Sequence, residues 1–167
     1  KNDDDTFDNT YEAEGSIQLT AMKLMTNDSN RKALNAGDYN FVVKENGTVV
    51  ATGTNGKAGD GSLLKDVHEI RFTPIEYKLN GERNDLGRHT YTISEVNDGA
   101  DGITYDDKEY TVIVNVSDNC VIENGKNRLS AEIITENYKA PVFQNTYTAN
   151  GNTSFTVKKE LCRMNGT

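Results

Sequence analysis

Three polar side chains stand in phase with apolar ones. Lys23 continues the alternation Ile17, Leu19, Ala21 and precedes Met25; Glu95 follows Tyr91 and Ile93; Asn145 lies between Phe143 and Tyr147. In an extended chain, residues two apart share a face. Each of the three therefore points with the residues that its strand would bury. A lone ammonium or carboxylate in that position costs several kcal/mol. An amine, an acid and a carboxamide can compensate one another if they meet. The plain outcome is a buried Lys23–Glu95 ion pair with Asn145 as a hydrogen-bond partner. The chemical outcome goes further. Dryness lowers the pKa of an amine and raises that of a carboxyl, and a neutral Lys23 is a nucleophile. A protonated Glu95 would donate to the Asn145 carboxamide oxygen, polarise its carbon and shuttle protons as ammonia leaves. The product would be an amide joining Lys23 to Asn145. Periodicity alone leaves both outcomes open.

Eight segments must position these groups. Ile17 to Met25 reads as one strand. Tyr39, Phe41 and Val43 form another, which turns at Asn46-Gly47 into Val49 and Ala51; Asn-Gly between alternating runs is a hairpin signal. Val67 to Ile75 reads as a strand ended by Pro74. Tyr91, Ile93 and Glu95 share a face, as do Tyr110, Val112, Val114 and Val116. Leu129, Ala131 and Ile133 follow a turn at Asn124-Gly125, and Phe143, Asn145 and Tyr147 close the series. No long stretch has helical periodicity. Strands at this spacing with Asn, Asp and Gly turns predict an all-β fold, an Ig-like antiparallel sandwich. Polar connections are expected at 26–37, 54–66 and 76–88.

The chain has 167 residues and a formal charge of −8. That length can bury a core without metals or disulfides. The negative charge argues against nucleic acid or an anionic membrane as partner, and no apolar run would span a bilayer. No secretion signal, sorting motif or lipid anchor is recognisable, so targeting information is expected either to have been removed or to lie outside this piece. Cys120 and Cys162 form no disulfide framework and are expected as free thiols. His68 and His89 stand alone in sequence. With no nucleophile elbow, phosphate loop or metal-ligand spacing, neither a turnover enzyme nor a cofactor is indicated. Asp3-Asp4-Asp5 and Asn97 to Gly102 carry calcium-type oxygen ligands, but neither matches an EF-hand loop. They read as linker and turn, so no metal is expected. Lys139 reads as a surface lysine rather than an acceptor for polymerisation.

The ends of the chain echo each other. Phe7-Asp8-Asn9-Thr10-Tyr11-Glu12-Ala13-Glu14-Gly15 matches Phe143-Gln144-Asn145-Thr146-Tyr147-Thr148-Ala149-Asn150-Gly151 in Phe, Asn, Thr, Tyr, Ala and Gly. The same offset brings Lys23 onto Lys159. Such self-similarity is the signature of a tandem array. Residues 1–12 then read as the last strand of a preceding unit, 13–149 as a complete unit, and 150–167 as the first strand of the next. Asn9 and Lys159 would be equivalents of Asn145 and Lys23 whose partners lie elsewhere, and both are expected to be unreacted.

With these residues in hand, the sequence resembles the pilin isopeptide-linkage domains of Gram-positive bacteria, of the CnaB-like or major-pilin type. The resemblance spans residues 13–149. It rests on Ser16 to Lys23, on Tyr91-Thr92-Ile93-Ser94-Glu95 and on Phe143 to Tyr147. Ala36 to Phe41 and Gly102 to Asp106 look similar as well. It implies a self-made bond between Lys23 and Asn145, promoted by Glu95, in a stalk repeat of a cell-surface adhesin or pilin. The partners implied are adjacent repeats, and the location extracellular, anchored through regions outside this chain. The rival is an adhesin module that recognises host protein or glycan through its polar loops.

Overall fold

The computed structural model describes residues 10–27 and 32–148. In chain order the strands are β1 (Ala13–Ile17), β2 (Thr20–Asn27), β3 (Asn40–Glu45), β4 (Thr48–Thr54), β5 (Glu69–Arg71) and β6 (Ile75–Leu79). They continue with β7 (Gly87–Glu95), β8 (Ile103–Thr104), β9 (Tyr110–Glu123), β10 (Lys126–Ile133) and β11 (Val142–Tyr147). A seven-stranded sheet in the order β4-β3-β7-β9-β10-β1-β6 faces a four-stranded sheet in the order β5-β2-β11-β8. The core between them is built from the inward alternate positions, among them Phe41, Val43, Tyr91, Ile93, Val112 and Phe143, each at most 1% exposed. The all-β, Ig-like sandwich expected from the alternation is the architecture observed.

Four details differ from the sequence reading. The stretch Ile17–Met25 is two strands, not one. β1 pairs with β6 and β10 in the large sheet, whereas β2 pairs with β5 and β11 in the small one. The chain crosses between sheets at Gln18 and Leu19, where Leu19 is buried and Gln18 Nε2 donates to the Phe72 carbonyl. Gly15 permits the close seat of β1 on β10: a Cβ there would lie 2.5 Å from the Leu129 carbonyl oxygen.

The stretch Val67–Ile75 likewise divides. β5 belongs to the small sheet and β6 to the large one, with Pro74 between them. Proline cannot donate to a ladder and so falls at the crossing. β6 consequently occupies part of 76–88, which is not the continuous loop expected. Third, a register shift after Val43 pairs Lys44 with Val49 and leaves Val50 as the extra residue. Val49 is therefore 48% exposed while Ala51 is buried, because a bulge resets the alternation. Last, the sheets are mixed: β1 runs parallel to β10, and β2 parallel to β11. Both Asn-Gly turns fall where expected, with Asn46 at φ 50° and Gly47 at 81°, and Asn124 at 52° and Gly125 at 77°. Positive φ at both central residues is the requirement of the tight hairpin turn.

Candidate functional site

The parallel pairing of β2 with β11 is what brings the two ends of the unit together. Lys23 lies opposite Phe143, and Asn145 opposite Met25, so Lys23 and Asn145 are two positions apart on neighbouring strands. Both point inward and both are fully buried. Glu95 arrives from the other sheet, at the end of β7, with its side chain also excluded from solvent. The Lys23 Nζ lies 2.7 Å from Glu95 Oε1 and 2.8 Å from Oε2. Asn145 Nδ2 donates to Glu95 Oε1 at 2.8 Å. The acid thus bridges the amine and the carboxamide.

Aromatic rings dry the site. The Lys23 Nζ stands 4.7 Å from the ring centre of Tyr39 and 5.8 Å from that of Phe41. Phe143 packs on Phe41 and on Tyr110, both at 5.1 Å between centroids. The effect on protonation is symmetrical. Burial lowers the Lys23 pKa against the opposing pull of Glu95 and Asp106. Burial raises that of Glu95, against the hydrogen bonds and charge of Lys23 and the hydrogen bond from Asn145. Both shifts favour moving the proton from the amine to the acid, which leaves a neutral pair. The Tyr39 hydroxyl, buried without a hydrogen-bond partner, is pushed up to about 12 mainly by desolvation.

The carboxamide oxygen is held from the Gly102–Asp106 stretch, at Asp106, which carries no role in the sequence motif. Asn145 Oδ1 accepts the backbone N–H of Asp106 at 2.8 Å. An N–H can only donate, so the oxygen must face it and the amide nitrogen must face Glu95. This corrects the expectation that Glu95 donates to the carboxamide oxygen. The Asp106 carboxylate accepts the N–H of Gln144 at 2.8 Å and that of Lys108 at 3.1 Å. Burial works to raise its pKa, but these donors and the Lys108 charge prevail and hold it below the usual carboxylate range. Nothing in the spacing of Asp106 announces this, because its segment between β8 and β9 is neither strand nor alternating run.

Other candidates are scattered. Asn9, Lys159, Cys162 and Asp3-Asp4-Asp5 lie outside the described residues. Cys120 is an exposed free thiol at φ 54°, in the irregular β9–β10 register. Lys139 is exposed between β10 and β11. Around Asn97–Gly102, the Gly99 N–H caps on Asn97 Oδ1, and Tyr105 donates to Asp98. No group of three or more potential metal ligands gathers among the described residues. His89, isolated in sequence, is not isolated in space: Nδ1 meets Glu45 Oε1 and Nε2 the Asp85 carbonyl, each at 2.8 Å. No helix of the described residues is long and apolar enough to cross a membrane.

Comparison with known proteins gives a match at the level of family. A family model described as FctA, the Spy0128-like isopeptide containing domain, matches residues 19–148. Among solved structures, the chain is similar to the major pilin protein (T-13) from Streptococcus pyogenes. That match has 21% identity, covers 80% of this chain and 54% of the other, and has a TM-score of 0.43. A point mutant of the major pilin from the same organism gives 16% identity, 78% and 50% coverage, and a TM-score of 0.42. The chain thus spans about half the length of the pilins it matches. No curated protein matches it.

Proposed function

From the premise that this chain belongs to the family of Spy0128-like isopeptide containing domains, we propose that it is a structural shaft module of a Gram-positive surface pilin or adhesin, locked by an amide bond between Lys23 and Asn145. Glu95 promotes the bond. The observation that carries this reading is the continuous buried chain of contacts from Lys23 through Glu95 to Asn145, drawn from the first strands, a central strand and the last.

The reaction is a single self-modification with no turnover. Lys23 passes a proton to Glu95, and the neutral amine attacks the Asn145 Cγ. Glu95 then gives a proton to Nδ2 and takes one from the attacking nitrogen. The Cγ–Nδ2 bond breaks and ammonia leaves. What remains is a neutral amide beside a protonated Glu95, with no buried charge to compensate.

The position of the bond suits a module under tension. Residues 24–144 lie inside the closed loop, and closing a loop of roughly 100 residues is worth about 4–5 kcal/mol in the chain-entropy account of cross-links. The partners under this reading are neighbouring modules of the same polypeptide or polymer. The terminal echo of Asn9 with Asn145 and Lys23 with Lys159 supports a tandem arrangement, with 13–149 as the repeating unit. The location is the cell surface.

Intact mass under denaturing conditions tests the bond. The wild-type chain is expected to be lighter than its sequence by one ammonia, and both Lys23→Ala and Glu95→Ala should carry the full weight. A wild-type chain of full weight would reduce the site to a buried ion pair.

A further inference from the structure

The Asn145 carboxamide is gripped at both ends by different groups. Glu95 takes its nitrogen, and the backbone N–H of Asp106 takes its oxygen at 2.8 Å. Attack on an amide carbon drives negative charge onto the carbonyl oxygen. A fixed donor about 3 Å from that oxygen is the device that stabilises the tetrahedral intermediate. Glu95 is committed to the amine and to the leaving nitrogen. The oxygen therefore depends on Asp106.

We propose that the backbone N–H of Asp106 is the oxyanion donor for formation of the Lys23–Asn145 bond, and that the Asp106 carboxylate positions it by clasping β11. The proposal rests on the cross-linking reaction put forward above. As Nζ bonds to Cγ, the carbonyl electron pair moves onto Oδ1, where the Asp106 N–H meets it. When the Cγ–Nδ2 bond breaks, the pair returns and the new amide keeps the same hydrogen bond.

The clasp explains how one exposed-looking segment can be held still enough to act. The Asp106 side chain is only 4% exposed. Its Oδ2 accepts the N–H of Gln144, the residue immediately before Asn145, and its Oδ1 accepts the N–H of Lys108. One residue thus fixes both the donor and the strand that carries the acceptor. A further pin lies nearby, where the Thr148 N–H donates to the Gly102 carbonyl. A donor that is pre-aimed in a water-excluded site needs no reorganisation during the reaction.

The direct test replaces the Tyr105–Asp106 amide by an ester, using the α-hydroxy analogue of aspartate at position 106 in the full chain. This deletes the N–H and keeps the carboxylate. Timed synthesis followed by denaturing mass measurement reads the rate at which ammonia is lost. The folded ester chain is expected to close roughly 10²–10³-fold more slowly than wild type, the usual loss for one oxyanion donor. Asp106→Ala, which keeps the N–H but loses the clasp, should fall between the two. Closure of the ester chain at the wild-type rate overturns the proposal.

A second measurement does not depend on the ester chain folding. Lys23→Met removes the nucleophile and preserves the unreacted carboxamide. A through-hydrogen-bond scalar coupling between the Asp106 amide nitrogen and Asn145 Cγ is expected in that variant, and its absence also overturns the proposal. Wild-type chain that keeps its ammonia counts against the cross-link itself, whereas the coupling reads the hydrogen bond separately.

Discussion

At the scale of single residues, phase is what made the site legible. Lys23, Glu95 and Asn145 each break an apolar alternation from inside, and in the structure all three side chains are buried and in contact. Asp106 gave no such signal, because its contribution is a backbone N–H, which every residue but proline carries. Asn55 gives no signal either, since it falls at the start of the polar connection expected at 54–66. It is fully buried: its Oδ1 accepts the Tyr39 N–H at 2.8 Å, while Nδ2 donates to the carbonyls of Asn35 at 2.8 Å and Val67 at 3.0 Å. Asn55→Asp would turn a carboxylate toward two carbonyls. At neutral pH it is expected to cost about 3 kcal/mol, the penalty of an unsatisfied buried group that carries charge. Because protonation restores a donor, the variant's folded-state pKa lies above its unfolded value of about 3.9. The deficit should therefore shrink as the pH falls toward 4. Urea denaturation of variant and wild type at both pH values checks it; an equal deficit at each would reject the argument.

At the scale of elements, the sequence showed inward faces better than it showed sheets. Ile17 and Leu19 keep the same phase through the crossing from β1 to β2, because a strand that changes sheets still turns one face to the shared core. Periodicity is blind to that event. Gly15 marks it physically, since β1 can sit on β10 only without a side chain there. Gly15→Val should clash with the Leu129 backbone and lower stability by about 1–3 kcal/mol or more, read as a fall in melting temperature. β6 has its own signal, since Ile75, Tyr77 and Leu79 alternate with Glu76 and Lys78, and Pro74 marks a boundary between two strands rather than the end of one. His89 ties its own β7 to Glu45 at the end of β3 and to the Asp85 carbonyl in the connection before β7. Burial works to lower its pKa, but the Asp85 carbonyl and the Glu45 carboxylate outweigh this and raise it. A raised folded-state pKa gives stability that is full below the unfolded value of about 6.5 and is lost as pH rises through the higher folded value. Melting temperature should decline across that window in wild type and stay flatter in His89→Gln. Parallel pH curves for the two chains would rule the linkage out.

At the scale of the whole molecule, the consequence of the proposed bond is a path for force. β2 and β11 run parallel and adjacent. Tension applied at the two ends of the unit pulls β2 toward its start and β11 toward its finish, so the strands are loaded in shear and their ladder resists as a group. Shear alone still fails once the ladder slips. With Lys23 joined to Asn145, tension crosses the amide instead, and residues 24–144 never enter the load path. Single-molecule pulling separates the two cases. The cross-linked chain should release no length from residues 24–144 at any force below covalent rupture. Lys23→Ala, which keeps the parallel pairing but has no nucleophile, should unfold in one event and gain roughly 40 nm of contour, the extended length of the freed segment at about 3.4 Å per residue. A wild-type trace with that same gain would mean that no bond joins β2 to β11, and the shaft reading would lose its mechanical basis.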